Sequence, residues 1–374
     1  MSRIYFDNAA TTPIDEEVQK VMIDAMREIY GNPSSIHAEG RKARSAIEQA
    51  RKKVAHYLGA SIGEIFFTSG GSESNNMVLK GAVRDLGVKR IISTPVEHHC
   101  NLHSFDSIGR DTDAEIVMLG IDEWGLPDLE ELKRILPLSD KKTLVSFMHS
   151  NNETGSMINL QEVAGICNEA GALFHSDTVQ TIGYFPFDLS SANIAFISGS
   201  AHKFYGPKGV GFVYINNDNI IKPLIDGGGQ ERNMRAGTES IHNILGLAKA
   251  MELAYENMEA RKQHVETLRA YLKSRLEELP DVQFISPGNG HYKVLSASFP
   301  PGPKSDLLLL NLDIEGISVS GGSACTSGVD VGSHVMQAIH GDSLRKTIRF
   351  SFSHHNTREE VDIVVEKLKQ ILEL

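Results

Sequence analysis

Cysteine is scarce in this chain: Cys100, Cys167 and Cys325 are the three thiols in 374 residues. No two of them form a CxxC pair and three cannot complete an even framework, so free thiols in a reducing cytoplasm are expected. Long apolar runs are missing too. Nothing approaches the roughly 18 residues of a membrane span, and the opening MSRIYFDNAATTP has no apolar signal core. Positive charge is in deficit. The formal net charge is −11 with both signs scattered, which argues against a nucleic-acid surface or an anionic-membrane surface. HExxH and CxxC spacings are absent, so His98, His99, His175 and His202 carry no ligand pattern and no metal is expected.

What is plentiful is glycine, 33 residues, against a background of 41% hydrophobic residues, enough for a large core and, at this length, two domains. DEEVQKVMIDAMREIY and GRKARSAIEQARKKVAHYLGA read as amphipathic helices, the second stopping near Gly59. Then EIFFTS, RIISTP, EIVMLG, TLVSFMHS, ALFHSD, ANIAFISG and GVGFVYI recur as short apolar runs. Helical stretches such as SNNMVLKGAVRDLG, DLEELKRIL and LQEVAGICNEAG separate most of them. This alternation predicts an α/β fold with a mostly parallel, helix-covered sheet. From about Ile241 the pattern becomes one long helical stretch, with a domain boundary expected inside it near Glu256. The remainder reads as α+β: VLSASF, a helix over SDLLLLNLD, ISVSG, TIRFSF and a last helix opened by a Thr357–Glu360 capping box. The expected division is a large domain over 14–255 and a smaller α+β domain made of 1–13 with 256–374.

Open parallel sheets bind ligands beyond the carboxyl ends of their strands. After EIFFT, SGGSESNN opens a helix whose N–H groups at Gly71 and Ser72, with the Ser72 hydroxyl, suit a phosphate. After RIISTP stand His98 and His99; after TLVSFMHS, Asn151; after ALFHS, Asp177 with Gln180 three residues on; after ANIAFISG, Ser200, His202 and Lys203. Lys203 reads either as a turn lysine reaching for water or as an amine nucleophile at the end of a core strand. Singly, each feature is ordinary: Gly-Gly-Ser turns are common, adjacent histidines are usually packed or exposed, and Asp177 could cap the next helix. Together they fit pyridoxal phosphate, which needs a phosphate cradle, a stacking partner, an acid at the ring nitrogen and a lysine at its aldehyde. Of the thiols, Cys167 shares an apolar helix face with Val163, Ile166 and Ala170 and reads as structural. Cys100 begins a helix after EHH, and nothing else marks it. Cys325 lies in SGGSACTSG, small, polar and loop-like.

FDNAATTP, GNPSS..H, FTSGGSESNN, EHH, NNETG, HSDTVQ, AHKFYGPKG, MRAGT and GGSACTSG follow one another over nearly the whole chain. In this order they resemble the cysteine desulfurases of the NifS/IscS-like group. The resemblance implies fold type I of the pyridoxal phosphate enzymes, a homodimer, and conversion of L-cysteine to alanine. It also implies a persulfide on Cys325, for a sulfur acceptor in iron–sulfur or thio-cofactor synthesis. Position by position it makes Lys203 the Schiff-base lysine, Asp177 the pyridinium partner and Gln180 a neighbour of the ring hydroxyl. His98 becomes the stacking and proton-transfer group, and Ser72, Ser200 and His202 become phosphate contacts. Thr238 becomes a phosphate contact given by the second subunit, and Asn151 and Arg349 bind substrate, a guanidinium fork suiting an α-carboxylate. Selenocysteine lyase and cysteine sulfinate desulfinase share this machinery and stay open as alternatives. An aminotransferase has no use for Cys325, and a non-catalytic relative is expected to have lost the lysine or the aspartate. Ala201 and the SGGSAC run depart from the group by small replacements, with activity expected to persist. The ending KLKQILEL, without the longer tail of housekeeping members, weighs against their usual scaffold partner.

Overall fold

The computed structural model describes residues 3–321, 332–341 and 343–373; Cys325 lies outside them. Twelve strands occur among the described residues: β1 (Ile4–Tyr5), β2 (Ile65–Thr68), β3 (Arg90–Ser93), β4 (Glu115–Met118), β5 (Thr143–Met148), β6 (Leu173–Asp177), β7 (Phe196–Ser200), β8 (Gly211–Ile215), β9 (Gln283–Phe284), β10 (Val294–Phe299), β11 (Ile317–Ser318) and β12 (Lys346–Ser351). Seven of them form one sheet in the order β2-β8-β7-β6-β5-β3-β4, and each of the seven apolar runs supplies one strand. β8 runs antiparallel to both its neighbours, while the pairs from β7 to β4 are parallel. β2 and β7 therefore point the same way, and the chain leaves β2, β3, β5, β6 and β7 at one common edge.

The strand compositions account for this burial. Every residue of β2, β3, β5, β7 and β8 is buried, as continuous apolar runs covered by helices on both faces require. β4, at the sheet edge, exposes Glu115 and Met118. The helices Gly71–Asp85 and His99–Asp111 are crossovers after β2 and β3, and Leu160–Glu169 joins β5 to β6. Gly59, at φ 62°, ends the helix Ala38–Leu58 in the left-handed conformation that favours glycine. Gly211 allows a close approach: a Cβ there would stand 2.7 Å from Gly70 Cα, so the turn after β2 lies directly on β8.

The long helical stretch expected from Ile241 is two helices, Ile241–Glu256 and Met258–Leu276. Asn257 (φ −108°, ψ 11°) interrupts the backbone ladder and turns its side-chain amide onto Leu253 O at 2.9 Å. Beyond the break, β9, β10 and β12 form an antiparallel sheet in the order β12-β10-β9. The last helix, Arg358–Leu372, opens with the expected Thr357–Glu360 capping box and packs on Met258–Leu276. The chain start ties this sheet to the large one. β1 pairs with β11, Ser351 N donates to Phe6 O, and then Thr12 N donates to His202 O at 2.9 Å. Residues 7–12 thus run from β12 to the turn after β7.

Candidate active site

A cavity of about 320 Å³ opens at the common strand edge. Lys203 reaches its wall because β7 stops at Ser200 and a single 3-10 turn, Ala201–Lys203, follows before Tyr205 takes a left-handed φ of 67°. Its Nζ donates to Ala9 O and Ala10 O, each at 2.8 Å, while Tyr184 Oη donates to Lys203 O at 2.7 Å. The amine is therefore held over the N-terminal segment at the cavity, not extended toward bulk water.

Asp177, the last residue of β6, accepts from Asn75 Nδ2 at 2.7 Å and from Val179 N at 3.0 Å. Gln180 donates to Ala9 O at 3.0 Å and keeps Oε1 buried without a partner among the described residues. His98 caps the helix His99–Asp111, its Nδ1 accepting from Cys100 N at 3.2 Å. Burial lowers the His98 pKa against the opposing pull of Asp177, so the ring is neutral near neutral pH. Behind it the fully buried Glu97 is pushed up to about 8, chiefly by burial. Gly71 and Ser72 also line the cavity, in the first turn of a helix whose leading N–H groups have no intrahelical acceptor. Ser200 and His202 line the same cavity, Ser200 beside the glycine turn. Burial, aided by the Lys203 charge, pushes His202 down to about 3.

The donor set fits pyridoxal phosphate. The open Gln180 Oε1 suits a ring hydroxyl, Asp177 a ring nitrogen, Lys203 an aldehyde, and the Gly71–Ser72 helix start a phosphate. A Cβ at Gly71 would meet Val179 Cγ2 at 2.6 Å, so the cradle requires glycine there.

Arg349, on β12, is 1% exposed and lines the same cavity. Its Nη1 donates to Asn152 O and its Nη2 to Asp7 Oδ1, both at 2.8 Å, while Nε has no partner among the described residues. Asn151 is not at the wall, contrary to expectation. Its amide donates to Val96 O at 3.0 Å, and its Oδ1 accepts from Glu153 N and Thr154 N, so the side chain is committed to holding the NNETG turn. The turn presents Asn152 and Glu153 to the cavity instead. Thr238 is exposed and away from the wall.

Two thiols are described. Cys100 lines the cavity 3.1 Å from His98 Nδ1, and burial with the Asp177 charge pushes it up to about 12. Burial does the same to Cys167. Both stay protonated and are poor nucleophiles at neutral pH. Asn75, Asn152, Glu153, His334 and Asp7 belong to the site but escaped the sequence reading; the NNE triplet and the FDN of the chain start were the available signals. Among the described residues no His/Cys/Asp/Glu group could hold a metal ion, and no helix is long and apolar enough to cross a membrane.

Comparison with known proteins agrees with this geometry. The pattern of the aminotransferase class-V family matches residues 4–364. The chain is 41% identical to the cysteine desulfurase IscS of Dictyoglomus turgidum, over 99% of this chain and 94% of that one. It is 36% identical to the cysteine desulfurase NifS of Azotobacter vinelandii, over 100% and 93%. Among solved structures, a NifS-like protein superposes with a TM-score of 0.91 at 39% identity, covering 99% of each chain. A NifS-like protein from Rickettsia africae gives 0.89 at 30%, covering all of both.

Proposed function

Because the chain belongs to the aminotransferase class-V family and is a pyridoxal-phosphate-dependent cysteine desulfurase of fold type I, we propose the following division of work among its residues. Lys203 holds the cofactor aldehyde and serves as the base at the substrate Cα. Asp177, Gln180 and His98 hold the ring; Gly71, Ser72, Ser200 and His202 hold the phosphate. The bound cofactor supplies an electron sink for the charge left at Cα. Arg349 takes the substrate α-carboxylate with its guanidinium at the cavity wall, and Asn152, rather than Asn151, borders the substrate. His98, neutral at working pH, takes the proton of the substrate thiol.

The Cys325 thiolate then attacks the substrate sulfur. A sulfur–sulfur bond forms and the carbon–sulfur bond breaks with its electron pair left on carbon. Cys325 is oxidised to a persulfide, the substrate Cβ takes the proton that His98 removed from the thiol and becomes a methyl group, and alanine leaves. Cys100 has no part in this step, since its thiol stays protonated. We read the break at Asn257 as the boundary between the 14–255 domain and the 1–13 plus 256–374 domain. The working unit we propose is a cytoplasmic homodimer in which Thr238 reaches the partner's phosphate site, with a protein of iron–sulfur or thio-cofactor synthesis as sulfur acceptor.

The observation that carries this reading is the meeting of Lys203, Asp177 and the Gly71–Ser72 helix start on one cavity wall with a buried arginine. The test is stoichiometry. Protein incubated with pyridoxal phosphate, L-cysteine and a reductant should release alanine and sulfide in equal amounts, and Lys203→Ala and Cys325→Ser should each abolish both. A Cys325→Ser protein that still forms persulfide at the normal rate overturns the assignment of the acceptor.

A further inference from the structure

Asn75 belongs to the cavity wall, and the reaction above gives it no task. It is fully buried and lies in the second turn of the helix Gly71–Asp85, on the same face as Gly71 four residues before it. Both residues meet the turn that follows β6. Gly71 lies so close to Val179 that a Cβ would clash with Cγ2, and Asn75 Nδ2 donates to Asp177 Oδ2 at 2.7 Å. The same nitrogen stands 3.4 Å from Cys100 Sγ, so each of its two hydrogens has an acceptor. Turning the amide over would set Asn75 Oδ1 against the carboxylate, acceptor against acceptor, so the hydrogen bonds fix its orientation.

The consequence falls on Asp177. Its Oδ1 accepts from Val179 N at 3.0 Å, within its own turn, and a carboxylate held at one oxygen alone can pivot about that bond. Asn75 holds the other oxygen, and with both held the plane of the carboxylate is set. A carboxylate offers about four lone-pair sites, so two bonds leave acceptor capacity for a ring nitrogen. Because the donor sits one helical turn beyond Gly71 and Ser72, one rigid element fixes the phosphate contacts and the ring-nitrogen contact relative to each other. The adjacent Asn76 supplies the contrast. Its Nδ2 donates to Ser72 O at 2.9 Å and its Oδ1 accepts from Ser104 Oγ at 3.0 Å, bonds within and between helices that do not involve Asp177.

We propose that Asn75 is a positioning residue: it holds the Asp177 carboxylate at the angle from which that group meets the cofactor ring nitrogen. The inference rests on the assignment of Asp177 to that nitrogen.

The test is cofactor binding. The whole chain, freed of cofactor, is titrated with pyridoxal phosphate and with the analogue that has carbon in place of the ring nitrogen. Only the first offers Asp177 a hydrogen bond. Wild type should hold pyridoxal phosphate about tenfold or more tighter than the analogue, the scale of a hydrogen bond to a charged group. Asn75→Ala should cut that preference to within about threefold, by weakening pyridoxal phosphate and leaving the analogue unchanged. Asn75→Leu, which keeps the buried volume and a good helix former, should do the same. Asn76→Ala should leave the preference standing. A loss that falls equally on both ligands makes Asn75 a packing residue and overturns the proposal. So does a preference that survives in whichever Asn75 variant folds, or one that Asn76→Ala also abolishes. Equal binding of the two ligands to wild type overturns the assignment of Asp177 itself, and the role of Asn75 falls with that premise.

Discussion

Arg51 and Arg349 are the two largest side chains buried below 2% exposure, and they use their donors differently. Each guanidinium nitrogen of Arg51 has a partner. They donate to Glu231 Oε2 at 2.7 Å and Oε1 at 2.9 Å, to Ile65 O at 2.8 Å and to Glu48 Oε1 at 3.2 Å. Glu231 Oε2 also accepts from Phe67 N, so the pair fastens the helix Ala38–Leu58 to β2. Arg349 spends two donors on Asp7 and Asn152, lines a cavity, and has no partner for its buried Nε among the described residues. A buried charge with every nitrogen partnered and no cavity beside it is a structural fastening; one with a nitrogen unpartnered on a cavity-lining side chain is a binding group. Lys293 shows that the cavity matters as much as the unmet donor. Lys293 is 0% exposed and its Nζ has no hydrogen-bond acceptor among the described residues, only the face of Tyr184 with its centroid 3.8 Å away. It is not part of the cavity wall, so its unmet donors are a cost in stability and not an invitation to a ligand.

The contrast can be broken by experiment. Lys203→Ala should lower alanine release by about a thousandfold or more, with the thermal midpoint little changed, because the loss falls on the base and not on the packing. Arg51→Ala should lower unfolding free energy by about 3–5 kcal/mol, since Glu231 is left buried without its partner. In denaturant titration that loss should appear while kcat/KM of the folded fraction stays near wild type. Arg349→Lys should do the reverse. It keeps the charge opposite Asp7 but loses the planar fork, so KM for cysteine should rise about ten- to a hundredfold with a small shift in melting temperature. A large stability loss there, or a large KM effect at Arg51, would end the distinction.

The smallest effect is expected at Lys293. Burial, with the charges of Lys203 and Arg349, holds its pKa well below the ordinary lysine value. The unfolded chain then binds a proton that the native chain does not, and native stability falls as pH drops below the ordinary value of about 10.4. Lys293→Met should stabilise the protein by about 1–3 kcal/mol at pH 7. That advantage should shrink as pH rises toward 10, measured by chemical denaturation at both ends. A constant advantage would mean that packing, not the proton, is the cause.

Much of this was legible along the chain. The seven apolar runs became the seven strands of the large sheet, because a strand buried on both faces must be apolar throughout. Gly71, Ser72, His98, Asp177, Gln180, Ser200, His202 and Lys203 all reached the cavity, since each stands within a few residues of a strand end. Asn151 and Asn152 were not separable in this way. Adjacent residues of a turn face opposite directions, and only the hydrogen bonds of the NNETG turn decide which one faces in. The long helix from Ile241 failed for a related reason: its composition stays helical through Asn257, while the backbone does not.

The order of strands and helices, the residues at each strand end and the shortage of cationic surface were determined by sequence alone, because periodicity, turn chemistry and net charge are local or additive. The tertiary structure decided which groups meet across long separations. Arg349 finds Asp7 from 342 residues away, Lys203 finds the carbonyl of Ala9 from 194, and Glu153 meets Ser333 from 180. It also decided which polar atoms stay unpartnered among the described residues: Gln180 Oε1, Arg349 Nε and Glu153 Oε1, on side chains that line the cavity, and Lys293 Nζ sealed behind Tyr184. Burial and hydrogen-bond satisfaction are properties of the packed whole, and no window along the chain contains them.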